Sequence, residues 1–208
     1  MNFHPTHLLR TAAVVLVLVG IGQPVGAADS LEGGAKQFIE SLADQAIKSL
    51  TSTDTSRETR IERFRKLFND NFDTQAIGQW VLGRNWNTAN EEQRTEFLAL
   101  FEDLMVVSYV DRFAKYTGDA LKTSQSLKGG ENDAMVSSRI DHPSGGQPVR
   151  IDWRVVRKES TYKIVDVLVE GTSMSTTLRS DFGSIVRQEG GKIEGLLQAL
   201  REKTKALL

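Results

Sequence analysis

The chain carries the segment Val149-Arg150-Ile151-Asp152-Trp153-Arg154-Val155, in which apolar and charged residues alternate. A period of two is that of a β-strand with one face buried and the other in water. The turn Arg157-Lys158-Glu159-Ser160 follows, and then the segment Tyr162-Lys163-Ile164-Val165-Asp166-Val167-Leu168-Val169-Glu170. Because a turn of this length joins neighbouring antiparallel strands, the two segments predict an antiparallel sheet.

The second of these strands is apolar on both faces. Strict alternation places Ile164 and Leu168 on one face of the sheet and Val165, Val167 and Val169 on the other. Weaker alternation over residues 121–127 and 134–140 predicts two further strands upstream, so the sheet should contain about four strands.

Helical periodicity occupies the chain on both sides of the strands. Asp73 is the expected N-cap of a short helix over residues 74–82, which Gly83 ends. Asn90 and Gln93 have the spacing of a capping box at the start of the longest helix. Apolar residues recur at three- and four-residue steps in residues 31–50, 61–68, 97–113, 178–186 and 193–207. The order of helices, strands and helices predicts an α+β fold, a twisted antiparallel sheet packed against several helices.

The first 28 residues have the form of a secretory signal peptide. Arg10 supplies the positive charge, residues 12–21 are apolar, and Gly26-Ala27-Ala28 offers small residues for cleavage near Ala27/Ala28. A membrane-spanning helix needs about twenty apolar residues, which makes an uncleaved anchor the weaker alternative. We therefore expect residues 29–208 to form one exported domain.

The charge balance of this domain disfavours two classes of partner. The chain has 26 Lys and Arg residues, and removal of Arg10 leaves 25 against 27 acidic residues, a net charge of −2. Such a balance argues against nucleic acid as a partner and against a strongly basic membrane-binding surface. The chain has no cysteine, so the exported fold does not depend on disulfides.

Groups suited to catalysis or metal binding are few in residues 29–208. His142 is the single histidine left, in a turn over residues 141–146. With one histidine and no cysteine, neither a zinc site nor a cofactor is expected. We expect Asp166 to pair with Arg150 or Arg154 on the neighbouring strand, or to lie at the edge of the sheet. An enzyme that uses Asp166 or His142 as a base remains the alternative.

The apolar faces of the strands and helices can line a close-packed core or a cavity. Amphipathic spacing is the same in both cases, and spacing alone favours the packed core.

The identities of the residues carry more information than their periodicity. Six groups of segments, in chain order, are Val81-Leu82-Gly83-Arg84-Asn85-Trp86; Glu92-Gln93-Arg94-Thr95-Glu96-Phe97 with Phe101 and Tyr109; Val149-Arg150-Ile151-Asp152-Trp153; Tyr162-Lys163-Ile164-Val165-Asp166-Val167; Glu170-Gly171-Thr172-Ser173-Met174 with Phe182-Gly183-Ser184; and Gly190-Gly191-Lys192-Ile193-Glu194-Gly195-Leu196. Together they resemble the toluene-tolerance/MlaC family of periplasmic phospholipid carriers.

The resemblance implies a soluble shuttle that takes phospholipid between an outer-membrane lipoprotein complex and an inner-membrane ABC transporter complex with MCE-domain subunits. Such transport maintains the lipid asymmetry of the outer membrane. The resemblance also implies that acyl chains lie in an apolar cavity between sheet and helices, with the head group near solvent. We expect the protein to be a periplasmic monomer without catalytic residues.

The same resemblance suggests which residues contact lipid. Arg84 or Arg150 is expected to meet the phosphate of the head group, on charge alone. The residues expected to bind acyl chains are Phe101, Leu104, Tyr109, Ile151, Trp153, Val165, Val167, Val169, Met174 and Phe182. Two other interpretations stay open, a hopanoid-associated lipid-binding protein and a periplasmic interaction or assembly factor with a packed core.

Overall fold

The computed structural model describes residues 30–51, 55–114, 121–141 and 146–207. His142 and residues 1–28, the expected signal peptide, lie outside the described residues. The described residues form seven helices and five strands: α1 (Leu31–Leu50), α2 (Arg57–Asn71), α3 (Thr74–Leu82), α4 (Arg84–Thr88), α5 (Glu91–Ala114), β1 (Lys122–Lys128), β2 (Asp133–Ile140), β3 (Val149–Lys158), β4 (Thr161–Val169), β5 (Thr172–Ser173), α6 (Met174–Gln188) and α7 (Ile193–Leu207). The predicted α+β class is confirmed.

The five strands form one sheet in the order β1-β2-β3-β4-β5, and each strand is antiparallel to its neighbours. The four predicted strands are all present. Strand β5 was not predicted, since two residues are too few to show a period.

The expected helix boundaries around residues 73–93 are confirmed. The side chain of Asp73 accepts a hydrogen bond of 3.1 Å from the Ala76 N–H and caps α3. Asn90 and Gln93 form the reciprocal capping box, in which the Gln93 N–H donates to Asn90 Oδ1 at 2.8 Å and the Asn90 N–H to Gln93 Oε1 at 3.2 Å. Gly83 ends α3 with a φ of 58°, a conformation open to glycine. The chain then enters the five-residue helix α4, which the sequence did not predict.

A β-bulge interrupts the alternation of β4. Arg154 pairs with Asp166, but the next residue, Val155, pairs with Ile164, so Val165 is an extra residue in β4. Ile164 and Val167 consequently belong to the same apolar cluster against α1. The prediction that Ile164 and Val167 lie on opposite faces is therefore wrong, because the bulge inverts the alternation at Val165.

The helices and the sheet contribute two separate apolar clusters. One lies among α2, α3, α5, α6 and α7 and contains Phe97 and Leu196, each 0% exposed. The other lies between α1 and the sheet and contains Ala35, Val136 and Val155, all 0% exposed.

The first half of α1 packs closely on the sheet. Phe38 stacks on Tyr162 of β4 with ring centroids 5.9 Å apart. At Gly34 a Cβ atom would lie 2.1 Å from the Tyr162 hydroxyl oxygen, so any other residue there would displace the Tyr162 ring. This contact leaves the second half of α1 to face the space between the two clusters.

Candidate functional site

A cavity of about 340 Å³ lies between the two apolar clusters. Its size falls within the roughly 300–1,000 Å³ of ligand-binding pockets. Its walls come from α1, α2, α3, α5, α6 and strands β2, β3 and β4, with Phe72 and Leu121 from the connections. The sheet therefore does not close against all of its helices, and apolar space remains between them.

Seven of the ten residues expected to contact acyl chains line this cavity. They come from α5, β3, β4 and α6: Phe101, Tyr109, Ile151, Trp153, Val167, Val169 and Met174. The structure thus brings together residues that are up to 73 positions apart in the chain, from Phe101 to Met174.

The other three expected residues lie elsewhere. Leu104 and Phe182 are buried in the cluster among the helices, 4% and 5% exposed. Val165 is the extra residue of the β4 bulge and does not belong to the cavity wall.

Neither arginine proposed for the head group lines the cavity. Arg84 is exposed at the start of α4. Arg150 precedes the lining residue Ile151 in β3, so its side chain points away from the cavity, on the opposite face of the sheet. There Arg150 Nη2 pairs with Asp152 at 3.0 Å.

Sequence reasoning missed the wall that α1 and α2 supply. Helix α1 contributes six lining residues and α2 contributes three: Ile39, Leu42, Ala43, Ala46, Ile47 and Leu50, then Phe64, Leu67 and Phe68. The stripe through Leu42 and Ala46 is visible in the sequence, but nothing in its spacing separates a cavity wall from a packed face. The small side chains of Ala43 and Ala46 help to leave the space open.

The indole of Trp153 is fixed in the sheet wall. Its Nε1–H donates to the Ser138 hydroxyl at 2.9 Å, and that hydroxyl donates to the Ile151 carbonyl at 2.9 Å. The polar end of the ring is therefore satisfied within the protein, and the apolar part of the ring remains for the cavity.

Among the described residues that line the cavity, Asp166 is the one charged side chain. Its oxygens accept hydrogen bonds from the hydroxyls of Ser173 and Ser175, at 2.6 and 2.7 Å. The expected pairing with an arginine of β3 is wrong, because Arg150 pairs with Asp152 and Arg154 lies 3.8 Å from Asp133. The carboxylate faces the start of α6 instead.

Among the lining residues, side-chain exposure is greatest at one end of the sheet. Val169 at the end of β4 is 36% exposed, whereas Ile39 and Phe101 are 1% exposed. On the outer side of this end, Lys122 Nζ of β1 donates to Asp141 Oδ2 at 2.6 Å. This hydrogen bond from Lys122 lowers the pKa of Asp141 below its ordinary value. Charged groups therefore lie at the same end of the sheet as Val169, whereas the buried lining residues are all apolar.

Within the described ranges, no cluster of three or more His, Asp or Glu side chains has the arrangement of a metal site. In the same ranges, no helix combines the length and the apolar character that crossing a membrane requires.

Comparison with known proteins places these features in a family. The model of the MlaC protein family matches residues 40–202. A curated relative, the intermembrane phospholipid transport system binding protein MlaC of Haemophilus influenzae, is 23% identical over 116 residues, 54% of this chain and 54% of the relative. The chain thus matches about half the length of that relative.

A solved structure supports the same architecture. The phospholipid-binding protein from Ralstonia solanacearum, determined in complex with a phospholipid, matches with a TM-score of 0.73 at 22% identity. The match covers 83% of this chain and 98% of the other. At this level of identity the likeness establishes a shared fold.

Proposed function

The chain belongs to the MlaC protein family, and we propose that it is a periplasmic carrier that holds phospholipid acyl chains in the cavity between its sheet and its helices. The observation that carries this proposal is the wall of the cavity, which is apolar apart from Asp166 and a few satisfied polar atoms.

An apolar cavity keeps acyl chains out of water, which lipid transport between two membranes requires. Exposing an acyl chain to water costs about 0.8 kcal/mol per CH₂ group, so two long chains cost on the order of 20 kcal/mol. A cavity that replaces the membrane interior removes most of this cost. Because an acyl chain then has nearly the same free energy in the protein as in a bilayer, loading and unloading of lipid are close to reversible.

The relatives support the choice of ligand. The Haemophilus influenzae relative is named a phospholipid transport system binding protein, and the Ralstonia solanacearum structure contains a phospholipid. The seven expected residues that line the cavity are accordingly proposed as contacts for acyl chains. Phe68, Ala43 and Ala46 join them from the helices.

The proposal extends to the route of the lipid. The protein acts as a monomer in the periplasm after loss of residues 1–28. It exchanges lipid with an outer-membrane lipoprotein complex and with an inner-membrane ABC transporter complex that carries MCE-domain subunits. Since the cavity holds lipid near-reversibly, these partners impose the direction of transport, and the outer membrane keeps its asymmetry.

Mass spectrometry of the protein purified from periplasm tests the ligand class. We expect diacyl phospholipid in an extract of the wild-type protein. A hopanoid would redirect the proposal to another lipid, and a protein free of lipid would support an assembly factor instead.

The substitution Val167→Asp tests the site. It places a carboxylate in the apolar wall, where an acyl chain cannot solvate it, so we expect the bound lipid per protein to fall at least ten-fold, which corresponds to about 1.4 kcal/mol. Leu127→Asp is the matched control, because Leu127 is 55% exposed on β1 of the same sheet. Equal lipid content in the two folded variants would refute the assignment of the cavity.

A further inference from the structure

We propose that Asp166 is a positioning residue, which fixes the wall formed by β5 and the start of α6 and thereby sets how tightly the cavity holds an acyl chain. The proposal rests on the carrier function, since it concerns the same cavity. It assigns to Asp166 a role other than that of an acid, a base or the partner of an arginine.

The carboxylate of Asp166 is bonded by three segments at once. Its Oδ1 atom accepts from the Val167 N–H at 2.9 Å, the Ser175 N–H at 3.1 Å and the Ser175 hydroxyl at 2.7 Å. Its Oδ2 atom accepts from the Ser173 hydroxyl at 2.6 Å. These donors belong to β4, β5 and α6, so one side chain connects the last long strand to the helix that follows the sheet.

The bonds to Asp166 also organise the beginning of α6. Ser173 is the N-cap of this helix, and its hydroxyl oxygen accepts from the Thr176 N–H at 3.0 Å. A carboxylate close to a helix N-terminus is favoured by the helix dipole. Ser175 is 5% exposed, so without Asp166 its hydroxyl would lose its partner in a site that water hardly reaches.

The residues held by these bonds form two walls of the cavity. Met174 lies between Ser173 and Ser175 and lines the cavity, and Leu178 lies one turn further along α6 and does so too. Val167, whose N–H is bonded to the same carboxylate, lines the cavity from β4. The distance between the strand wall and the helix wall therefore depends on Asp166.

The bulge sets which residue of β3 lies opposite Asp166. Because Val165 is inserted opposite β3, Asp166 takes the position across from Arg154 while its side chain is drawn to the serines.

The variant Asp166→Asn tests the proposal. Asparagine keeps the shape of the side chain but replaces one acceptor oxygen with an NH₂ group, which cannot accept from a serine hydroxyl. The probe is phosphatidylcholine with one pyrene-labelled acyl chain, loaded into the mature protein that lacks residues 1–28. Its transfer to unlabelled vesicles of phosphatidylethanolamine and phosphatidylglycerol is followed by stopped-flow fluorescence. We expect release about ten-fold faster than from the wild type, the equivalent of one charge-assisted hydrogen bond.

A matched variant separates positioning from general loss of stability. Asn90→Ala removes the cap of α5 at the end of that helix remote from the cavity, and it should lower the thermal midpoint. It should leave the release rate at the wild-type value. If Asn90→Ala speeds release as much as Asp166→Asn does, Asp166 contributes stability alone and the proposal is overturned.

A second variant keeps the test decisive if Asp166→Asn does not fold. Ser175→Ala retains the carboxylate and removes the bond of 2.7 Å, and we expect release about three-fold faster. Wild-type release from folded Asp166→Asn, or from Ser175→Ala where Asp166→Asn is unfolded, refutes the positioning role. Failure of the wild type to take up the pyrene lipid would instead refute the carrier function itself.

Discussion

The effect of Ala46→Leu on the free energy of unfolding tests whether the space between the sheet and the helices is open. Ala46 lies in the second half of α1, is half-buried and lines the cavity. Leucine adds three carbons, and burying them in open apolar space contributes about 2.4 kcal/mol at about 0.8 kcal/mol per carbon. Ordering the longer side chain costs up to about 1 kcal/mol. We therefore expect the free energy of unfolding of the lipid-free protein to rise by about 1–2 kcal/mol.

The same substitution at Ala35 provides a control with the opposite sign. Ala35 lies on the same helix, is 0% exposed and packs in the cluster against the sheet. Leucine there overfills a close-packed site, which lowers the free energy of unfolding by about 1–3 kcal/mol. Alanine and leucine are both strong helix formers, so helix propensity cancels between the two variants.

Thermal unfolding of delipidated protein, followed by circular dichroism, measures both variants. A change of 1 kcal/mol shifts the midpoint of a chain of this size by about 2–4 °C, so Ala46→Leu should raise it by about 2–8 °C. The phospholipid bound per protein should fall in the same variant, because leucine occupies the space that an acyl chain would use. A midpoint lowered to that of Ala35→Leu would show a packed interior and refute the reasoning.

Two further substitutions probe the wall of the cavity and the packing of α1 on the sheet. Trp153→Phe should abolish the quenching of tryptophan fluorescence by a brominated phospholipid, because Trp153 lines the cavity whereas Trp80 and Trp86 do not; quenching that persists would place the lipid elsewhere. Gly34→Ala brings a Cβ atom to 2.1 Å from the Tyr162 hydroxyl oxygen. Overpacking costs about 1–3 kcal/mol and the helix propensity of alanine offsets up to about 1 kcal/mol of it, so urea denaturation should show a net loss of about 1–2 kcal/mol. Unchanged stability would mean that α1 does not approach the sheet so closely.

Local chemistry made much of the fold predictable. The helix over residues 31–50 and the helix over residues 74–82 have the predicted bounds. Asp73 and the pair Asn90 and Gln93 act through hydrogen bonds across three residues, so their effect is contained in a short stretch of sequence.

The features that sequence reasoning missed depend on partners distant in the chain. The bulge at Val165 is a shift in the pairing between β4 and β3, so the sequence of β4 alone does not reveal it. It is this bulge that puts Ile164 and Val167 into one cluster. The serines that bond Asp166 are likewise 7 and 9 positions away in the chain.

The candidate site was predictable only in part, because local spacing assigns a residue to a face but does not say what that face contacts. Residues of β3 and β4 reach the cavity because strand alternation assigns them a face, as for Ile151 and Trp153. Leu104 and Phe182 have the same helical spacing as lining residues, yet they are buried among helices. Periodicity identifies the buried face of a helix, but not which neighbour covers that face.

The sequence by itself determined the α+β class, the strand pair at residues 149–170, the helix caps and the family. Each of these is encoded in residue identity or in contacts within a few positions. Only the tertiary structure decided that the two apolar clusters stay apart and leave about 340 Å³ between them. The physical reason is that a cavity depends on the distance between elements that are far apart in the chain. Ala46, Phe68 and Val167 line a cavity because the side chains of α1, α2 and β4 do not fill the space between these three elements.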